Sequence, residues 1–155
     1  MNKKGVTLVE LIVVMVIIAI GALLIAPNIG AWLPNYRLRS AARDIVSTMR
    51  TAQMKAISTN LEYRSYFNSA ERKYWIERGN QSSGSTNWVG TTNVGNAARE
   101  GALNTLPSGV TINFNSFIEF NPDSTCNAAT IIVTNSKGKQ SSITVVPSTG
   151  RVKSL

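Results

Sequence analysis

Twenty-one consecutive residues, Val6 to Ala26, contain a single charge, Glu10. A helix rises 1.5 Å per residue, so one of that length reaches across the ~30 Å hydrocarbon core of a bilayer. A helix apolar on every side needs cover from lipid or protein, and the segment reads as a membrane helix. Glu10 conflicts with that reading, because an unpaired carboxylate deep in lipid costs roughly 2.5 to 3.5 kcal/mol. A positive group should therefore meet it. Ahead of the segment stand only Met1-Asn2-Lys3-Lys4-Gly5. Their two lysines are cytoplasmic by the positive-inside rule, which puts the rest of the chain on the far side. Cleavage after Gly5 would create an α-ammonium on Val6, one helical turn from Glu10, and a neighbouring copy's ammonium would neutralise it equally well.

The stretch Gly5-Val6-Thr7-Leu8-Val9-Glu10 resembles the processing site of type IV pilins and of the pilin-like subunits of type II secretion systems. The resemblance implies a leader of residues 1–5, removed by a prepilin peptidase between Gly5 and Val6. It further implies N-methylation of Val6, with Glu10 as fifth mature residue setting register during assembly. Val6 departs from the usual phenylalanine, which the class tolerates. Two competing readings are an ordinary signal anchor with a chance glutamate and a secretory signal peptide cut near Ala19-Ile20-Gly21. The apolar run continues past that second point, and the two predict different mature masses.

Chemistry is limited by what the chain lacks. It has no histidine and one cysteine, Cys126, so it can form neither an intrachain disulfide, a nucleophile–histidine dyad nor a His/Cys zinc site. The eight acidic residues form no pair at motif spacing. No cofactor is implied, and catalysis is not expected. Cys126 reads as a buried small apolar residue. The net charge is +8, or +6 without Lys3 and Lys4. That excess suits a polyanion such as DNA or anionic lipid, and equally a solvated basic surface.

Beyond Ala26 come Pro27 and Pro34, each expected to kink the helix rather than end it. From Asn35 to about Asn60, Leu38, Ala41, Ala42, Ile45, Met49, Ala52 and Ala56 recur at intervals of three and four, marking one face that packs against a globular domain. Arg37, Arg39 and Arg43 lie on other faces, either solvated or in contact with lipid phosphate or a neighbouring subunit. The segment Arg39 to Ile57 resembles the helix of the H-type minor pseudopilins of type II secretion and of the related T-type minor pilins.

After Asn60 the period changes to two. Leu61, Tyr63, Ser65 and Phe67 fall on one side and Glu62, Arg64 and Tyr66 on the other, a strand that a turn at Asn68 to Arg72 joins to a second, Lys73 to Arg78. The aromatic residues there pack in the core or on the sheet, or stack on bases. Residues 79–101 are rich in Gly, Ser, Thr and Asn around Trp88 and read as a long loop, with Trp88 its anchor or a partner contact. Further strands are expected at Val110 to Phe114, Phe117 to Phe120, Thr130 to Thr134, Ser142 to Val146 and Arg151 to Ser154. Hairpin turns at Ser136-Lys137-Gly138-Lys139 and Pro147-Ser148-Thr149-Gly150 join the last three. Adjacent hairpins could gather Lys137, Lys139, Arg151 and Lys153 into one phosphate-binding patch. Gly150-Arg151-Val152-Lys153 also resembles a DNA-binding element of some T-type minor pilins. The alternative is an exposed edge whose lysines discourage aggregation.

The sequence thus predicts an α+β chain, a long bent N-terminal helix packed on a C-terminal antiparallel β-sandwich-like domain. The leader is 1–5, the membrane and filament-core helix 6–34, its amphipathic half 35–60 and the globular β domain 61–155, with the polar loop at 79–101. The resemblance implies a single-pass inner-membrane protein with a periplasmic domain, assembled with other pilin-like subunits into a secretion pseudopilus or a type IV pilus as a minor subunit. Two alternatives stay open: a DNA-binding minor pilin, and the main subunit of its own filament.

Overall fold

The structure, a computed structural model, describes residues 5–89 and 103–154, with the backbone but not the side chains of 23–29 and 31. The leader lysines Lys3 and Lys4, loop residues 90–101 and the Pro27 side chain therefore lie outside the described residues. Helix α1 spans Leu8–Thr59, passing through both proline positions. The chain divides into two units, Met1–Leu33 and Pro34–Leu155.

In the first unit Thr7 precedes the helix, and its Oγ1 accepts the Glu10 N–H at 3.2 Å. This satisfies one of the donors that a helix start leaves without a partner. The large apolar side chains from Val6 to Ile20 are all exposed, from 49% at Val14 to 74% at Leu8, so no face of this stretch turns inward. Among the described residues no helix is long and apolar enough to cross a membrane. The span predicted over 6–34 includes residues 23–29 and 31, whose side chains lie outside the described residues.

In the second unit every residue of the predicted stripe, Leu38, Ala41, Ala42, Ile45, Met49, Ala52 and Ala56, is buried. Four of them are alanines, which lets the helix backbone lie close to what it covers. The helix stops where Asn60 turns left-handed at φ 55°, a conformation asparagine tolerates at a helix C-terminus. Strands β1 (Tyr63–Asn68) and β2 (Lys73–Gly79) form the predicted hairpin, from Tyr63 opposite Arg78 to Asn68 opposite Lys73. β3 (Trp88–Val89) and β4 (Asn104–Thr105) both pair with β2, β6 (Phe117–Phe120) pairs with β1, and these five make one sheet. The second sheet runs β5-β7-β8-β9, with β5 Val110–Ile112, β7 Ala129–Asn135, β8 Gln140–Val146 and β9 Arg151–Ser154 at one edge. All pairs are antiparallel. Inward-facing Tyr63, Phe67, Ile118 and Phe120 of the first sheet and Ile131, Val133, Ile143 and Val145 of the second join the helix stripe in one core.

Some boundaries differ from the sequence expectation. The first strand begins at Tyr63 rather than Leu61, and the stretch read as loop from Gly79 contains the end of β2 and the short strand β3. Glu62, expected on the outward side, is buried, because its carboxylate is fully hydrogen-bonded to backbone.

Candidate functional site

Three regions of the chain carry chemistry beyond packing. At the N-terminus Gly5, Val6 and Glu10 are all exposed, and Glu10 sits three residues after the capping Thr7. Thr7 was not singled out from sequence, although Thr-x-x-Glu ahead of an apolar run is the signature of a capping box. A carboxylate in the first turn is favoured by the helix dipole, so Glu10 suits the helix start even though it does not suit lipid.

The second region is the basic surface of the globular unit, where the structure separates residues that the sequence reading had grouped. Asn135, at the end of β7, accepts the backbone N–H groups of Lys137 at 3.0 Å and Lys139 at 2.9 Å on its Oδ1. Its Nδ2 donates to Oδ1 of Asn35 at 3.1 Å. The β7–β8 turn with its two lysines is thereby fixed level with Asn35, one residue past Pro34. Arg37 is tied in nearby through Nη1, which donates to the hydroxyl of Ser108 at 2.9 Å and its carbonyl at 3.2 Å. The β8–β9 turn lies at the other end of β8. There Gln53 Nε2 donates to the Thr149 carbonyl at 3.1 Å, and Arg151 stands opposite Val146. Eighteen helical residues separate Asn35 from Gln53, about 27 Å along the axis. Lys137 and Lys139 therefore form no common patch with Arg151, and Lys153, opposite Thr144, lies between the two ends. Lys139 instead lines a groove with Arg39 and Arg43 of α1.

The third region organises the outer face of the first sheet. The buried Glu62 carboxylate accepts the backbone N–H groups of Gly84 at 2.7 Å and Ser85 at 2.6 Å, clamping the loop after β2. Arg64 Nε pairs with Glu77, which also accepts from Trp75 Nε1 at 2.7 Å, and the Arg64 guanidinium lies over the rings of Trp88 and Phe117. Trp88, paired with Gly79 and packed under Arg64, thus acts as an anchor of its segment. Glu119 lies opposite Arg64. Burial and the Glu62 charge push its carboxyl above the ordinary range, and Arg64 pulls it back. Tyr66 and Trp75 stack on each other at 4.9 Å, while Tyr63, Phe67 and Tyr74 are buried, so these rings are engaged within the fold. Cys126 is buried as expected. Its thiol donates to the Val146 carbonyl at 3.5 Å, and burial pushes its pKa up. No sequence signal marks Glu62 or Arg64, whose partners come from other strands and loops.

Residues 1–26 match the family described as the prokaryotic N-terminal methylation motif. The fold is similar to that of the minor pseudopilin EpsH from the type 2 secretion system of Vibrio cholerae. The TM-score is 0.57 at 12% identity, over 77% of this chain and 96% of that one. It is also similar to the type IV minor pilin FimU of Pseudomonas aeruginosa in two crystal forms. Those give TM-scores of 0.55 and 0.52 at 14% and 16% identity, over 77% and 76% of this chain and 88% and 91% of those. No curated protein sequence matches.

Proposed function

We propose, for a chain of type IV pilin-like fold behind a prokaryotic N-terminal methylation motif, a structural subunit processed by prepilin peptidase and assembled with other pilin-like subunits. It is a filament component rather than an enzyme, and its place is that of a minor subunit of a type II secretion pseudopilus or a type IV pilus. The observation that carries the reading is the helix start. Gly5 and Val6 are exposed, Glu10 falls five residues after Gly5, and the apolar side chains through Ile20 have no partner within the unit. Such a surface is stable only under lipid or protein. Before assembly the apolar half of the helix, with kinks at Pro27 and Pro34, is held in the inner membrane and the globular unit faces the periplasm. Peptidase removes residues 1–5, Val6 is methylated, and in the filament helix packing replaces lipid. Glu10 then meets the α-ammonium of a neighbouring subunit and sets the axial register. The minor role is supported by the likeness to a minor pseudopilin and a minor pilin.

The Glu10→Ala variant is expected to be cleaved to the same mature mass, begin at Val6, and enter filaments at least about tenfold less than wild type. That factor corresponds to about 1.4 kcal/mol of lost charge pairing, modest for a carboxylate in an apolar setting. Incorporation at the wild-type level would overturn the register role, and a mature chain beginning elsewhere would overturn the processing site. A second reading, capture of duplex DNA, is favoured by Arg151 and Lys153, which are exposed on edge strand β9. Its mark is salt-dependent binding removed by Arg151→Ala/Lys153→Ala.

A further inference from the structure

We propose that the groove between α1 and the β8–β9 sheet edge is a binding site for the phosphate headgroups of anionic phospholipids, with Arg39, Arg43 and Lys139 as its cations. This rests on the membrane-anchored reading above and names the lipid chemistry that reading leaves open.

The groove has a volume of about 280 Å³, and Asn35, Arg39, Arg43, Lys139, Ser141 and Ser154 are among its lining residues. Among the described residues no acidic side chain lines it. Arg39 and Arg43 are one helical turn apart, about 6 Å in rise, so both guanidinium groups can converge on one phosphate. Among the described residues no ion pair or hydrogen bond is made by the side chains of Arg39, Arg43 or Lys139. By contrast, Arg37 is committed to Ser108, Arg64 to Glu77, and Arg72 to the carbonyls of Leu106 and Pro107. Arg43 and Ser154 continue into a neighbouring depression that also reaches Arg50, which extends the cationic surface along the helix. Uncompensated cations in a concave site attract anions more strongly than scattered surface charge.

Position selects lipid among the possible anions. The Asn135 to Asn35 hydrogen bond fixes the Lys139 turn at the first helical residues after Pro34. In sequence these residues directly follow the membrane helix proposed over 6–34, so on that reading they stand where the chain leaves the bilayer, at headgroup level. Basic residues at such a level are each worth about a fivefold preference for an anionic membrane. A groove for a long polyanion would be expected to follow the whole basic surface, whereas Arg151 stands opposite Val146, at the end of β8 away from Lys139.

The test uses the full chain in neutral detergent micelles and counts phosphatidylglycerol and phosphatidylcholine molecules of matched acyl chains retained in native mass spectrometry. Wild type is expected to prefer phosphatidylglycerol. Arg39→Gln/Arg43→Gln/Lys139→Gln should lower that preference by on the order of fivefold per cation removed, and Arg151→Gln/Lys153→Gln should change it by less than about twofold. An unchanged near-ultraviolet circular dichroism spectrum verifies that the triple variant is folded, and single variants replace it where it is not. Equal retention of the two lipids by wild type overturns the site. Displacement of the lipid by equimolar inorganic phosphate, or by a short duplex DNA, assigns the groove to that anion and overturns the lipid assignment. Anchorage is read separately by flotation with neutral phosphatidylcholine vesicles. A chain that floats but shows no headgroup preference overturns this proposal alone, and one that does not float overturns the anchored reading as well.

Discussion

Replacing Gly150 by alanine should destabilise the globular unit far more than the same change at Gly138, although both glycines close a hairpin on β8 with positive φ. The angles are 59° and 78°, and an L residue in that region carries a cost of roughly 1–2 kcal/mol, partly offset because alanine loses less chain entropy on folding. At Gly138 the added Cβ meets nothing within 4 Å, so the backbone cost stands alone at about 1 kcal/mol. At Gly150 it would lie 2.4 Å from Gln53 Nε2 and 2.7 Å from the Ser124 carbonyl oxygen. The Gln53 side chain can swing away, but then loses its hydrogen bond to Thr149, worth about 1 kcal/mol. The Ser124 carbonyl cannot move so freely, because Ser124 is itself at φ 71° in a turn held by its N–H to Asn121 and by the Asn121 N–H to Thr125. Forcing a methyl group against such a neighbour adds about 1–3 kcal/mol. The sum is about 3–5 kcal/mol for Gly150→Ala against about 1 for Gly138→Ala. Thermal unfolding of the full chain in detergent, followed by near-ultraviolet circular dichroism, should show Tm falling by on the order of 10 °C or more for Gly150→Ala and about 4 °C for Gly138→Ala. Adding Gln53→Ala should not make Gly150→Ala additively worse, since the hydrogen bond is already lost. Equal shifts at the two glycines would refute the reasoning, leaving backbone conformation as the whole effect and the close approach to Ser124 as irrelevant.

Glu62→Gln keeps the shape of the clamp but puts an amide N–H against a backbone N–H, so it should cost about 2–3 kcal/mol and raise amide exchange at Gly84 and Ser85; unchanged exchange there would remove the clamp. Burial, then the Asp44 carboxylate, pushes the Tyr74 hydroxyl up to about 12, with the Thr48 hydrogen bond acting in the opposite sense. Its folded pKa thus exceeds the unfolded value of 10.0, so its contribution is fully present below pH 10 and lost as pH rises through about 12. Urea unfolding should lose roughly 2 kcal/mol more in wild type than in Tyr74→Phe between those limits, and parallel losses would contradict it.

Much of the architecture could be read from the chain because its signals are local. A stripe at intervals of three and four identifies a helix face wherever the helix goes, and every residue of that stripe is buried. Period-two alternation from Tyr63 and again from Lys73, with a short polar turn between, allows little but a hairpin. Gly138 and Gly150 marked the hairpin turns on β8 because left-handed backbone favours glycine. The short strands β3 and β4 could not be read this way. Two residues carry no period, and each becomes a strand only because β2 lies beside it.

What the sequence determined by itself was the composition of each surface: a helix start with Gly5, Val6 and Glu10 in order, an apolar segment without a partner face, and an excess of cations beyond it. Only the tertiary structure decided which of those cations stand together. Asn35 and Asn135 are 100 residues apart, Gln53 and Thr149 are 96, and these two bonds hold opposite ends of β8 against different levels of α1. They assign Lys139 to Arg39 and Arg43 and leave Arg151 far away. Periodicity reports the environment of a residue along its own element, whereas contact between elements depends on strand register and helix axial position, which arise only when the whole core closes.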